Sequence, residues 1–119
     1  MALVVFSLIL NFAITTILPP LMLRQSNAMN AVYGPDTDAR RILACLYGTI
    51  ALASLIALAA LGLGNREIAL QIVWVLFPFQ IVYKLATVPT VGLSSPVVRT
   101  NLFVVVVHLM SLTLLLQQG

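Results

Sequence analysis

Charge is scarce in this sequence. Only 8% of the 119 residues are charged, and only three are acidic. A water-soluble domain carries about a quarter of its residues as Asp, Glu, Lys or Arg, so there is too little charge here to coat a water-facing surface. The acids Asp36, Asp38 and Glu67 all fall at the margins of apolar runs. No carboxylate lies inside such a run, which argues against paired-carboxylate catalysis and against a proton-coupled exporter built on a membrane-embedded acid. The single cysteine, Cys45, excludes an internal disulfide and matches no zinc or iron–sulfur spacing. The single histidine, His108, cannot complete a bis-histidine haem site. No serine or cysteine stands within plausible reach of a histidine and an acid, and no glycine loop is built for phosphate. We therefore expect no catalytic residues and no metal cluster, and we read the chain as not an enzyme.

What is abundant is apolar side chain: 61% of the sequence is hydrophobic, and the mean hydropathy is +1.11. Crossing a hydrocarbon core of about 30 Å takes roughly 20 mostly apolar residues in helical form. Four runs satisfy this, at about residues 2–23, 39–63, 68–86 and 97–117. The valine run 104–107 would suit a strand in water, but a lone strand in lipid leaves its backbone unpaired, so helix is expected there. The first run lacks a basic flank and a small-x-small cleavage site and is too long for a signal peptide, so it reads as a retained helix. The sequence thus predicts an all-α fold: a single domain, 1–119, forming an antiparallel integral-membrane bundle of four helices with short connections.

Local signals place the boundaries. Pro19-Pro20 closes the first run, and part of the first connection, Ser26 to Tyr33, suits a short interfacial helix. Gly34-Pro35 breaks the chain, and Asp36 or Thr37 caps the second span. Gly62-Leu63-Gly64-Asn65, followed by Arg66 and Glu67, reads as a tight turn. Pro78 predicts a kink in the third span, and Thr87 to Ser94, with Pro89 and Gly92, reads as a loop. Ser95-Pro96 then serves as cap and first-turn proline of the last span.

The basic residues carry orientation. Arg24, Arg40, Arg41, Lys84 and Arg99 flank the two longer connections, whereas Arg66 alone flanks the short turn on the side of the termini. The positive-inside rule then puts both termini on the non-cytoplasmic side of a bacterial inner membrane or an organellar equivalent. This accounts for the net charge of +3 and the pI near 9.6 without a nucleic-acid partner. The same five cations are candidate contacts for lipid head groups or for a partner protein. Lys84, two or three residues from the expected end of its span, is expected to snorkel to the surface.

Helices in lipid associate through close packing and hydrogen bonds. The second span offers small residues for this, with Cys45, Thr49, Ala53 and Ala57 recurring every fourth position beside Ala44 and Gly48. Ser7, Asn11 and Thr15 share one face of the first span, and Asn101, His108 and Ser111 share one face of the last. Counting about 1.5 Å per residue from the span ends puts Asn11, Ser54, Gln80 and His108 near the bilayer midplane, one on each helix. They form a candidate polar layer. It would serve as an internal hydrogen-bond network or as a ligand site, with Trp74, Phe77 and Phe79 as candidate contacts for a lipophilic molecule. A neutral His108 is also a possible ligand for haem or chlorophyll.

The stretch Asn30-Ala31-Val32-Tyr33-Gly34-Pro35-Asp36, followed by Arg40-Arg41 and Tyr47-Gly48, resembles the DoxX-like small four-helix membrane proteins. There, too, a first span ending near proline leads through a Tyr-Gly element to a helix rich in alanine, glycine and leucine. The resemblance implies the four-helix plan and no catalytic residues. Three functional readings remain open at this point. The first is a non-catalytic accessory or structural subunit of a larger respiratory, photosynthetic or transport assembly, in contact with lipids and with other membrane subunits or copies of itself. The second is an autonomous binder or carrier of a quinone or lipid. The third is a tetrapyrrole-binding subunit using His108.

Overall fold

A computed structural model of the chain describes residues 1–23, 27–34 and 37–118. Five helices follow one another: α1 (Ala2–Met22), α2 (Asn27–Tyr33), α3 (Asp38–Gly62), α4 (Arg66–Val91) and α5 (Pro96–Gln118). No strand occurs among the described residues, and Val104 to Val107 lie inside α5. Helix α2 is a short segment within the first connection. The other four are long and apolar enough to cross a membrane. Helix α1 packs on α3 and α5, and α4 packs on the same two, which closes a ring of four. Its core is built from Val4, Leu8, Tyr47, Ile50, Val73, Phe77, Val105 and Leu112. The outside is equally apolar, with Ile42, Val75, Val82 and Leu116 among its exposed side chains.

Two caps set where α3 and α4 begin. Thr37 accepts a hydrogen bond from the Arg40 backbone N–H at 3.5 Å, with Asp38 in the first turn beside the positive dipole end. The alternative cap, Asp36, lies outside the described residues. Asn65 caps α4 by accepting from Ile68 N–H at 3.3 Å. Arg66 and Glu67 therefore form the first turn of α4, a correction to the turn expected for them. Gly64, with φ +81°, supplies the left-handed residue that this short reversal needs.

Helix α4 also ends later than expected. It runs through Pro78 and Pro89 to Val91, so the predicted loop 87–94 shrinks to Gly92–Ser95. A proline removes one helical N–H donor, but nearby hydroxyls occupy carbonyls on either side of the gap. Thr87 Oγ1 donates to Lys84 O, and Thr90 Oγ1 donates to Ala86 O at 2.7 Å. The helix stops at Gly92, whose φ is +103°. Helix α1 likewise continues through Pro19-Pro20, and Leu23 N–H closes its last turn on Pro19 O at 3.0 Å.

The packing seam on α3 lies to one side of the predicted one. Ala44 and Ala57 are buried and Ala53 is partly buried, but Cys45, Gly48 and Thr49 face outward. The stripe that meets the other helices is Ala44, Tyr47, Ile50, Ala51, Ser54 and Ala57. The bundle has turned α3 so that Tyr47 and Ser54 are enclosed. Thr49 satisfies its own hydroxyl on Cys45 O at 3.0 Å and needs no partner helix.

Arg40 also departs from expectation, because its side chain does not reach out to head groups. It is only 3% exposed. Its guanidinium donates to Met22 O at 2.8 Å, to Gly34 O at 2.9 Å and to Asn30 Oδ1. Met22 O is one of the carbonyls left unpaired at the end of α1, so one arginine of α3 ties down the end of α1, α2 and the bend after α2. Arg41 and Arg99 are exposed, and Arg24 lies outside the described residues. Replacing Arg40 with Met is expected to lower stability by about 2–4 kcal/mol by stranding these acceptors, measured as a lower Tm in detergent. Arg40→Lys should recover little of this, since an ammonium lacks the planar fork that serves several acceptors at once.

Candidate functional site

The polar faces of α1 and α5 both turn inward. Ser7, Asn11 and Thr15 are buried, as are Asn101, His108 and Ser111. Their hydrogen bonds form levels along the bundle. At one level the hydroxyls of Ser7 and Ser111 meet, and Ser111 also contacts Val107 O at 2.9 Å. At the next level Asn11 and Gln80 exchange a reciprocal pair of bonds between their carboxamides. Asn11 Nδ2 donates to Gln80 Oε1 at 2.6 Å, and Gln80 Nε2 donates to Asn11 Oδ1 at 2.9 Å. Asn11 Nδ2 also reaches Ser54 Oγ at 3.2 Å, while Ser54 bonds back to Ile50 O at 2.8 Å. Three of the four residues in the candidate layer, from α1, α3 and α4, thus meet directly.

The fourth does not join them. His108 is fully buried, and neither ring nitrogen has a hydrogen-bond partner among the described residues. Its ring stacks on Phe77, with centroids 4.0 Å apart and planes 12° apart. None of the three cavities described for this chain is lined by His108. A tetrapyrrole on His108 would require the imidazole to leave the face of Phe77.

The three candidate aromatic contacts separate as well. Phe77 is a core residue, whereas Trp74 and Phe79 are 40% and 51% exposed. Phe79 stands by Tyr83 at 5.6 Å and lines an open groove between α3 and α4 with Ala53, Gln71 and Val75. Residue 79 points away from residues 74 and 77 around a helix, since each step turns the chain by about 100°.

A cavity bordered by Lys84 lies elsewhere. A pocket of about 330 Å³ opens at the end of the bundle where α2 lies. Its walls include Ile14 and Leu18 of α1, Val32 of α2, and Val97 of α5, with Tyr33 and Tyr47 packed edge to face at 6.4 Å. Burial pushes the Tyr33 phenol well above its usual range, so it stays a neutral donor. The charged group on this pocket is Lys84, which is only 4% exposed. Its Nζ donates to Asn101 Oδ1 of α5 at 2.9 Å and stands 5.2 Å from the Tyr83 ring. The expected snorkelling is thus replaced by an inward ammonium. With α4 ending at Val91, Lys84 sits seven residues from the helix end, about 10 Å at the helical rise.

Sequence reasoning passed over the pairing of Lys84 with Asn101, and also over Tyr33, Tyr47 and Val97. The missing signal was the helix end. Counted from Val91 and Pro96 across the short connection, Lys84 and Asn101 fall at similar depth on neighbouring helices.

Replacing Gln80 with Leu strands the Asn11 carboxamide, and a stability loss of about 1–2 kcal/mol is expected. In a double-mutant cycle Asn11→Leu should cost much less in that background than alone, measured by unfolding in mixed micelles. His108→Phe should keep the stack on Phe77 while removing two desolvated nitrogens. Its Tm is expected to stay level or rise, by the equivalent of about 1 kcal/mol. No family model, no curated protein and no solved structure matches this chain.

Proposed function

We propose that the four long helices cross a bilayer as an antiparallel bundle and that the protein is a non-catalytic binder of a lipophilic small molecule, held in the pocket beside Lys84. Both termini lie on the non-cytoplasmic side in this reading, and the pocket opens on the side of the two longer connections, where basic residues are in excess. The observation that carries it is a buried ammonium on the wall of an otherwise apolar pocket of about 330 Å³. This volume is at the small end of the range of about 300–1,000 Å³ for ligand pockets, and its composition of apolar walls with a few polar groups is the usual one. An ionisable side chain kept inside a membrane helix is costly unless it has work there. The resemblance to DoxX-like proteins adds the four-helix plan and leaves the ligand open.

The accessory-subunit reading has its own support in the outward face of α3. Gly48, with nothing within 4 Å of the position of an added Cβ, lies beside Cys45 and Thr49 on the exterior. A neighbouring helix approaches closely over such small residues. The two readings are compatible, since a subunit of an assembly can hold a lipid or quinone.

Both are tested by purifying the tagged protein in mild detergent and recording mass spectra and absorption on the same peak. A bound amphiphile that disappears in Val97→Trp, which fills the pocket, supports the binder. Larger subunits in fixed ratio support the assembly, and visible absorbance dependent on His108 supports a tetrapyrrole. A lone, colourless protein whose bound lipid is unchanged by Val97→Trp removes the pocket reading.

A further inference from the structure

Resting on the pocket reading above, we infer that the ligand is a single-chain amphiphile with a carboxylate head, and that Lys84 and Asn101 receive that head. An ammonium has three N–H donors and no acceptor. Among the described residues Lys84 uses one of them as a hydrogen bond, to Asn101 Oδ1, which leaves two. Asn101 contributes its oxygen to that bond, and its amide nitrogen makes no hydrogen bond among the described residues. The hydroxyls of Thr15 and Thr100, which also line the pocket, are already committed to carbonyls of their own helices, Asn11 O at 2.6 Å and Pro96 O at 3.0 Å. The pocket therefore presents a cation and spare N–H donors, and no carboxylate lines it among the described residues. The complementary head is anionic and acceptor-only, which describes a carboxylate. A quinone carbonyl would accept a hydrogen bond but leave the ammonium uncompensated in apolar surroundings.

Depth decides between a free carboxylate and a phospholipid. Lys84 lies seven residues before the end of α4, and Asn101 five residues after the start of α5. At the helical rise both are about 8–10 Å inside the bundle ends. A phospholipid carries two chains, and its phosphate stays at the head-group level. A carboxylate on one chain is small enough to descend to Lys84, with its tail along Ile14, Leu18 and Val97.

The test is displacement of cis-parinarate fluorescence from the full-length protein in neutral detergent micelles. Palmitate, hexadecanol, methyl palmitate and dioleoyl phosphatidylglycerol serve as competitors. In the wild type, palmitate should compete at least about tenfold better than the alcohol or the ester, the scale of a charge-assisted hydrogen bond. Lys84→Met should weaken palmitate to the level of hexadecanol, and Lys84→Arg should retain the preference. The wild-type preference needs no variant, so it stands even if Lys84→Met folds poorly. Equal competition by acid, alcohol and ester, with Val97→Trp still blocking the probe, overturns the carboxylate head and spares the pocket. Stronger competition by phosphatidylglycerol than by palmitate overturns the single-chain assignment. Probe binding that is absent, or indifferent to Val97→Trp, overturns the pocket and the inference together.

Discussion

A polar group enclosed by this bundle can find a partner only inside it, because the apolar exterior offers none. The reciprocal carboxamide bonds between Asn11 and Gln80 meet that demand across two helices that the chain separates by 69 positions. Once these two amides face each other, the rotation of α1 and α4 is set. Ser54 then brings α3 to the same level, and Ser7 with Ser111 does the same for α1 and α5. Van der Waals packing alone would tolerate many rotations of such uniformly apolar helices, whereas a paired amide tolerates few.

The two buried cations illustrate different solutions to one problem. Arg40 is surrounded by acceptors, among them two backbone carbonyls and the Asn30 side chain, and its planar fork serves them together. It functions as a clamp on the end of the bundle, joining α1, α2 and α3. Among the described residues Lys84 has a single acceptor, Asn101, and an aromatic ring beside it, and its remaining donors are on the wall of a pocket. A charge saturated by backbone carbonyls stabilises structure. A charge left with spare donors beside an apolar cavity is available for recognition.

His108 is the counterexample to pairing. It is enclosed without a hydrogen bond from its ring nitrogens among the described residues and held through its flat face on Phe77. The stack uses the ring as an aromatic surface and leaves the nitrogens idle. Depth in the bundle did not imply membership of the hydrogen-bonded layer, because that also depends on which way the helix turns the side chain.

Much of the architecture was legible in the sequence for a simple reason. The length of an apolar run and the identity of its flanking cap residues are local quantities. Thr37 and Pro96 mark the starts of α3 and α5, and the polar faces of α1 and α5 follow from the helical period. The reading failed where a proline was taken to end α4, and that error carried Lys84 to the surface on paper. It failed again on α3, where small residues occupy more than one face and only the partners of Tyr47 and Ser54 select among them. The sequence by itself determined how many long apolar helices there are and which polar residues share a face of α1 and of α5, since both follow from residue counts along a helix. Only the tertiary structure decided which of those residues meet, that Arg40 turns inward to carbonyls and that Lys84 borders a pocket, because pairing depends on the mutual rotation of helices distant in the chain.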